Sequence, residues 1–367
     1  MAKFVNYLKR DIVTVHGEIE VHRAYYYCKH CKQSSIPWDE VVGLDQGLSH
    51  GLRSLVCLAG TLAPFEDAAE DVLRRFTGVR LSASTVLRAT ETAGQQLQER
   101  LKNGRVPKPT ASELDWQAKR EGKLPAAYVG VDAFSVPMQG PDGQQADHRM
   151  LYTAVLYTPE KKHTRYVVDF DLDEVVNKLR RVTASCGISQ VGDLIAITDG
   201  GNGLEEALKR GLADNLPTIL DWYHAAQHVH AFGQVCFGVH SGMKHAWTGK
   251  ALDALHDKGG TGLLAYLRRW KLPTNAASEA AEELRKLIGY FENNEHRTDY
   301  PTYRANGWDI GSGPTEAACK IIGERLKGSG MRWVETGATS VGALRALYVS
   351  GAKMWDGFWH SQQSKAA

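Results

Sequence analysis

The stretch DLIAITDGGNGL, residues 193–204, carries an apolar strand directly into a glycine-rich turn. The strand ends at Thr198, and Asp199 follows it, where a buried charge without a partner is costly. Asp199 either forms a turn with the two glycines that follow it or faces a cation. A helix and then another β-rich run, PTILDWYH at 217–224, come next along the chain.

Three β-rich runs and a helix precede this stretch. The strands are predicted at 126–136, 150–158 and 163–170, and the helix at 171–187. The connections between the three strands suit antiparallel hairpins. The resulting order, β-β-β-α-β-α-β, predicts an α/β domain with a mixed sheet.

Composition limits the classes of function. The formal net charge of +2 is too small to predict nucleic-acid binding by itself, so any DNA contact needs local basic surfaces. No apolar run approaches the roughly 20 residues that span a bilayer, and the first residues resemble no secretion signal. Six cysteines, mostly in apolar segments, fit reduced thiols, so we expect a cytoplasmic protein without membrane contact.

Two aspartates lie in or at the end of predicted core strands, and a glutamate lies in the first turn of a later helix. Asp132 stands in the middle of the apolar strand 126–136, where aspartate is disfavoured. Glu316 belongs to the helix start GSGPTE. Each of two acids has a purely structural alternative: a turn former for Asp199 and a favourable helix N-terminal charge for Glu316.

If the strands of Asp132 and Asp199 are neighbours, both carboxylates meet at one sheet edge, and a helix packed there adds Glu316. Three carboxylates close together repel one another and do not all stay ionised without a partner. Mg²⁺ prefers oxygen ligands, and two such ions about 4 Å apart stabilise displacement at phosphorus. The pattern predicts two Mg²⁺ (or Mn²⁺) ions held by Asp132, Asp199 and Glu316.

Four segments, in order and with suitable gaps, resemble the catalytic domain of DDE transposases. They are GVDA, ITDGGNGL, DWYHAAQHV and GSGPTEAACKIIGERLKGSGMRW. The chain is similar to bacterial insertion-sequence transposases related to the Mutator-like group, whose catalytic domain is RNase H-like. By this resemblance the family's catalytic acids correspond to Asp132, Asp199 and Glu316. The long gap before Glu316 corresponds to an all-α insertion at 225–305.

The resemblance implies an enzyme that binds double-stranded DNA at the terminal inverted repeats of its element. A metal-activated water would hydrolyse a phosphodiester, and the freed 3′-OH would attack target DNA. Paired element ends imply a homodimer in the nucleoid, and Asp132 is expected to bridge both ions. Two alternatives stay open: an inactive or truncated transposase-derived DNA-binding protein, and a nuclease of the same fold.

The segment DWYHAAQHV adds an Asp-x2-His pair, Asp221 and His224. A signature of this kind after the fifth strand occurs in Mutator-like transposases. We expect His224 to hydrogen-bond near the scissile phosphate or to order the strand end. His228 lies one helical turn later, a spacing that suits a metal, although both histidines also fit an ordinary helix surface.

Residues 65–94 predict a helix, a short turn at Gly78 and a second helix, spacing typical of a helix-turn-helix that reads the major groove. The candidate DNA contacts there are Arg80, Ser84, Thr85 and Arg88. The first helix is acidic, so a purely structural helical hairpin is the alternative. Further candidate DNA contacts lie on and after the Glu316 helix: Lys320, Arg325, Lys327, Arg332 and Trp333. A buried anchor is the alternative for Trp333.

Cys28 and Cys31 form a C-x2-C pair, which is half of a structural zinc site with four ligands. No second pair is present, and the nearby histidines have no standard spacing, so either a truncated start has removed ligands or no Zn²⁺ binds.

The predicted organisation of the chain is a β-hairpin with a partial zinc-ribbon-like pair (1–48), a helix-turn-helix-like helical region (49–104), a linker (105–125), the first part of the RNase H-like core (126–224), the helical insertion (225–305) and the C-terminal core helices (306–367).

Overall fold

A computed structural model describes residues 1–44, 47–107, 126–161, 163–186, 193–201, 203–239, 242–274 and 278–363. The predicted linker at 105–125 lies almost wholly outside these residues. No helix of the described part is both long enough and apolar enough to cross a membrane.

The N-terminal region pairs a long hairpin with a set of helices. The hairpin strands are β1 (Lys3–Thr14) and β2 (Gly17–Tyr27), with β3 (Ser34–Ser35) added at the edge. The helices are α1 (Pro37–Val41), α2 (His50–Leu62), α3 (Phe65–Asp67), α4 (Arg74–Thr77) and α5 (Ala83–Lys102), with a π-helical stretch, Ala68–Leu73, between α3 and α4. Gly78 ends α4 with φ of 74°, and the Ser82 hydroxyl caps α5, so the predicted helix, turn and helix are present.

The centre of the fold is a mixed five-stranded sheet, which confirms the predicted α/β class. Its strands are β4 (Ala126–Val136), β5 (Arg149–Tyr157), β6 (Arg165–Asp169), β7 (Asp193–Thr198) and β8 (Thr218–Leu220). The order across the sheet is β6-β5-β4-β7-β8. Neighbours β6, β5 and β4 are antiparallel, whereas β7 and β8 run parallel to β4. The carboxyl ends of the three parallel strands therefore meet at one edge.

Helices connect and cover these strands. They are α6 (Leu172–Ser185), α7 (Leu204–Gly211), α8 (Trp222–Phe237), α9 (Gly242–Arg269), α10 (Ala280–Asn294), α11 (Tyr300–Ala305), α12 (Gly313–Leu326), α13 (Glu335–Val349) and α14 (Ala352–Gln363). The order β4-β5-β6-α6-β7-α7-β8 is the predicted one. One apolar cluster joins Val129 and Ala196 to α6 and α13, and another joins Tyr128 and Ile197 to α8, α9 and α10. Alternate residues of a strand thus face two different helical layers.

The fifth strand is shorter than the sequence predicts. The β-rich run was expected to continue to residue 224, but β8 ends at Leu220 and α8 begins at Trp222. Asp221 ends the strand because its side chain accepts a hydrogen bond from the amide of His224 and so caps the helix. His224 consequently lies in the first turn of a helix.

Helix α12 approaches β4 at a position that only glycine allows. A Cβ atom built on Gly130 would lie 2.0 Å from Oγ1 of Thr315 and 3.0 Å from the carbonyl oxygen of Ile197. Thr315 is buried, and it directly precedes Glu316. The missing side chain of Gly130 therefore sets how closely the start of α12 packs on the strand that holds Asp132.

We expect Gly130→Ala to lower the free energy of unfolding by about 1–3 kcal/mol, because the methyl group overlaps Thr315 and the Ile197 backbone. Chemical denaturation of both proteins measures this difference. Gly249→Ala in α9 is the control, because no heavy atom lies within 4 Å of its added Cβ. Equal stabilities for Gly130→Ala and the wild type would contradict the close packing of α12 on β4.

Candidate active site

Asp132 in β4 and Asp199 directly after β7 lie at the same level of two neighbouring parallel strands. The last paired residues of β4 and β7 are Val129 and Ala196, and each aspartate stands equally far beyond this pair. Asp199 also forms a turn, since its Oδ1 accepts a hydrogen bond of 2.9 Å from the amide of Gly201. Asp199 therefore forms the turn and also lies level with Asp132.

Asp221 joins three elements through its fully buried carboxylate. Oδ1 accepts hydrogen bonds from the amide of His224 at 2.8 Å and is 3.1 Å from the Nδ1 atom of the same residue. Oδ2 accepts a hydrogen bond from the amide of Ser312. Burial by itself would raise the pKa of Asp221, but the hydrogen bonds from His224 and Ser312 outweigh it and lower the pKa. Asp221 is therefore an anion that links β8, α8 and the start of α12.

Ser312 connects the start of α12 to Asp221. It precedes the helix, but its side chain makes no capping hydrogen bond. Its backbone amide is instead the donor to Asp221, and this contact holds the helix start beside the sheet edge. Glu316 lies in the first turn of α12, with Oε1 at 3.8 Å from Nδ1 of His224 and about half of its side chain exposed.

The charges of all four acids act on one histidine. The hydrogen bond to Asp221 raises the pKa of His224 against the opposing effect of burial, and the negative charges of Asp221, Asp199 and Glu316 raise it further. Burial raises the pKa of Asp132, the charge of Asp199 adds to this increase, and His224 opposes it. The predicted acids therefore lie in one electrostatically coupled group, with His224 among them.

This group has an excess of negative charge. Within the described ranges, no lysine or arginine forms an ion pair with Asp132, Asp199, Asp221 or Glu316. Carboxylates brought together without such partners favour a bound cation. The oxygen ligands of Asp132, Asp199 and Glu316 suit a hard divalent ion such as Mg²⁺ or Mn²⁺.

A second set of atoms also has metal-binding spacing. Ligand atoms of Asp221, His224 and Glu316 lie within 4.8 Å of one another. Both oxygens of Asp221, however, already accept hydrogen bonds from backbone amides. A cation there would compete with these buried donors, so we assign Asp221 to the orientation of His224 rather than to a metal.

The candidate contacts of the helix-turn-helix-like region are accessible. Arg80, Ser84 and Arg88 are exposed and Thr85 is half-buried, at or near the start of α5. Ser82 links the hydroxyls of Ser84 and Thr85 at 2.9 Å each. The preceding helix remains acidic at its surface, where ion pairs join Arg74 to Glu70 and Arg75 to Asp71.

The five candidates on and after α12 divide into two groups. Lys320, Lys327 and Arg332 are exposed, and the Lys327 ammonium lies 5.0 Å from the ring centre of Phe134. Arg325 is only 3% exposed, and its guanidinium lies over the rings of Phe65 and Trp333.

Two of these predictions are therefore wrong for the folded chain. Arg325 donates through Nε to the carbonyl of Gly60, and its burial lowers its pKa to about 10. The Trp333 indole is 5% exposed and donates to the carbonyl of Leu326. Packing between distant segments occupies both side chains, so neither a phosphate nor a base can reach them.

Cys28 and Cys31 lie next to each other after β2. Hydrogen bonds from the Cys31 amide, the Cys31 thiol and the His30 amide lower the pKa of Cys28. This arrangement favours the thiolate that zinc requires. Over the described parts of the chain, no third histidine, cysteine or acid joins the pair as a ligand. Zn²⁺ binding remains a prediction with two of four ligands identified.

The fold and this cluster define an α/β protein with a group of carboxylates at the carboxyl edge of its mixed sheet. Residues 3–363 match the uncharacterised protein family UPF0236, and the chain belongs to that family. A comparison with curated protein sequences finds no match.

We expect Asp221→Asn to lower the free energy of unfolding at pH 7 on the order of 2–3 kcal/mol, because an amide leaves one buried N–H donor without an acceptor. Since the folded pKa of Asp221 is lowered, its stabilisation is present above the unfolded pKa and is lost as the pH falls through the folded pKa. The difference between the two proteins should therefore shrink in acid. Denaturation at a series of pH values measures it.

The control for this experiment is Asp214→Asn, since Asp214 is exposed. Its effect should stay within about 0.5 kcal/mol. NMR titration of the His224 ring provides a second measurement, because loss of the Asp221 charge should lower the pKa of His224. An unchanged His224 pKa in Asp221→Asn would contradict the assigned hydrogen bond.

Proposed function

We propose that this protein is a DDE-type DNA transposase with an RNase H-like catalytic core. It would hydrolyse phosphodiesters at the ends of its element and join the freed 3′-OH to target DNA. In the sheet order β6-β5-β4-β7-β8, the first three strands are antiparallel neighbours, and β7 and β8 run parallel to β4. This arrangement agrees with the fold that the resemblance implies. Residues 225–305 would be the helical insertion of such a core.

The observation that supports this proposal most is the coupling of acids from three places in the chain. Asp132 comes from β4, Asp199 from the end of β7, and Glu316 from α12, and the charges of all three interact with His224. A structural explanation for each acid alone does not account for their presence in one group. A site for divalent ions does, because it supplies the missing positive charge.

In the proposed reaction Asp132, Asp199 and Glu316 would hold two Mg²⁺ (or Mn²⁺) ions. Ions bound there would supply water activation and stabilise the charge that develops on phosphate oxygens. Asp221 holds the proton on Nδ1 of His224 and fixes the ring, so that Nε2 is available for a second contact. The raised pKa of His224 favours its protonated form, in which Nε2 would donate a hydrogen bond to a phosphate oxygen.

The rest of the proposal concerns DNA and assembly. Exposed basic groups on and after α12 (Lys320, Lys327 and Arg332) would contact the DNA backbone beside the carboxylates. The region from Arg80 to Arg88 would contact the terminal repeats in the major groove. Two element ends require two active sites, so we propose a homodimer that acts on DNA in the cytoplasm.

Cleavage and joining of labelled element ends should each be abolished by Asp132→Asn, Asp199→Asn and Glu316→Gln, because each substitution replaces a negatively charged carboxylate ligand by a neutral amide. DNA binding should remain largely intact, since these residues do not provide positive charge. A gel assay with Mg²⁺ or Mn²⁺ measures cleavage and joining, and a mobility-shift assay measures binding. Glu324→Gln is the control, because Glu324 is an exposed acid on the same helix.

Cleavage that persists in one of the three variants removes that residue from the site. Wild-type protein that binds DNA but neither cuts nor joins it with either metal supports the inactive DNA-binding alternative. Cutting without joining supports the nuclease alternative.

Binding to element-end DNA should weaken steeply with added salt, because phosphate contacts release counterions. Substitution of Lys320 and Lys327 by glutamine should each reduce the slope of log affinity against log salt by about 1. Lys286→Gln is the control, because Lys286 is exposed on α10 and already paired with Glu283. A slope that neither substitution changes would remove α12 from the proposed DNA contact.

A further inference from the structure

The helical region α8–α11 contacts the turn that follows β7, although the carboxylates assigned so far come from other elements. The contact is made by Tyr290 on α10. A Cβ atom built on Gly200 would lie 2.5 Å from Oη, 2.6 Å from Cε2 and 2.9 Å from Cζ of Tyr290. The ring of Tyr290 therefore lies directly against the backbone of the residue that follows Asp199.

The same ring contacts the helix of His224. The imidazole of His228 stacks on the ring of Tyr290, with centres 3.8 Å apart and planes inclined by 28°. His228 lies one turn beyond His224 on α8. Tyr290 thus touches both the turn that holds Asp199 and the helix that holds His224.

A hydrogen-bonded chain continues from Tyr290 to the other side of Asp199. Nδ2 of Asn294 donates to the carbonyl of Tyr290 at 2.7 Å, and Nε of Arg297 donates to Oδ1 of Asn294 at 2.8 Å. Nη1 of the buried Arg297 donates to Oγ1 of Thr198 at 3.0 Å. Thr198 and Gly200, the two neighbours of Asp199, are therefore both held from the end of α10.

The Tyr290 hydroxyl packs against Gly200 with the edge of the ring, but it takes no part in the hydrogen-bonded chain. It is buried, and it has no hydrogen-bond partner among the described residues. The turn after Asp199 therefore contacts Tyr290 through van der Waals packing and not through a hydrogen bond. Phenylalanine would preserve most of this contact, and alanine would remove it.

We propose that Tyr290 is a positioning residue of the carboxylate site, whose ring sets the backbone of Gly200 and thereby the direction of the Asp199 carboxylate. This inference rests on the proposed function, in which Asp199 is a ligand of a divalent ion. Residues that orient metal ligands typically change metal affinity by about 10- to 100-fold when they are replaced. A purely structural core residue would change stability without changing that affinity.

The test is a double-mutant cycle on Gly200 and Tyr290, with Mn²⁺ affinity of the full chain measured by titration calorimetry. Gly200 does not have the left-handed φ that disfavours a side chain, so Gly200→Ala adds only the collision with the ring. We expect Gly200→Ala and Tyr290→Ala each to weaken Mn²⁺ binding about tenfold. In Gly200→Ala/Tyr290→Ala the collision is gone, so the loss should equal that of Tyr290→Ala alone.

Two further variants sharpen this cycle. Tyr290→Phe should bind Mn²⁺ within about twofold of the wild type, because the ring remains. Gly200→Ala/Tyr290→Phe should stay as weak as Gly200→Ala, since Cε2 and Cζ still obstruct the methyl group. Gly289→Ala is the matched control on α10, because its added Cβ has no heavy atom within 4 Å.

Additive losses in the double variant, or unchanged Mn²⁺ affinity in both single variants, would overturn the role of Tyr290. A wild-type chain that binds no Mn²⁺ would overturn it as well. The proposed function has separate outcomes. If the cycle shows coupling but the wild type neither cuts nor joins DNA, the transposase proposal fails and Tyr290 keeps its role. If the wild type joins DNA and the losses are additive, the transposase proposal stands and the role of Tyr290 fails.

Discussion

The arrangement of the candidate site depends on the buried carboxylate of Asp221. This side chain accepts hydrogen bonds from the amides of His224 and Ser312. Ser312 is 91 residues away from it in the chain. A buried anion is stable only when donors surround it, so the start of α12 must stay beside the end of β8. Glu316 lies 3.8 Å from His224 because of this contact and because Gly130 lets α12 pack closely on β4.

The helical region that follows β8 is part of the same structure rather than a separate attachment. Tyr300 is fully buried and donates to the carbonyl of Leu220, and Arg297 donates to Thr198. Glu205 accepts hydrogen bonds from Lys209, Thr218 and His296, and although burial alone would raise its pKa, these bonds and the charge of Arg297 lower it to about 2. Thr198, before the turn that follows β7, and Glu205, after it, are thus both bound by side chains of the helical region between β8 and α12.

Basic side chains in this protein occur in two different environments. Arg325 and Arg297 are buried and hold segments together through carbonyl, hydroxyl and amide acceptors. Lys320 and Lys327 lie exposed on the helix of Glu316 and remain available to an anionic partner. Because the total charge is nearly balanced, only locally exposed basic groups such as these could hold DNA under the proposed function.

The sequence by itself determined the order of elements and the identity of the acids. Strand alternation, helix caps and turn residues act over a few positions, which is why β4 at 126–136 and α12 near Glu316 could be predicted closely. Only the tertiary structure decided that Asp221 holds Ser312, that Arg325 and Trp333 are buried, and that Tyr290 lies on Gly200. These outcomes depend on contacts between segments far apart in the chain, and no local pattern reports which side chains such contacts bury.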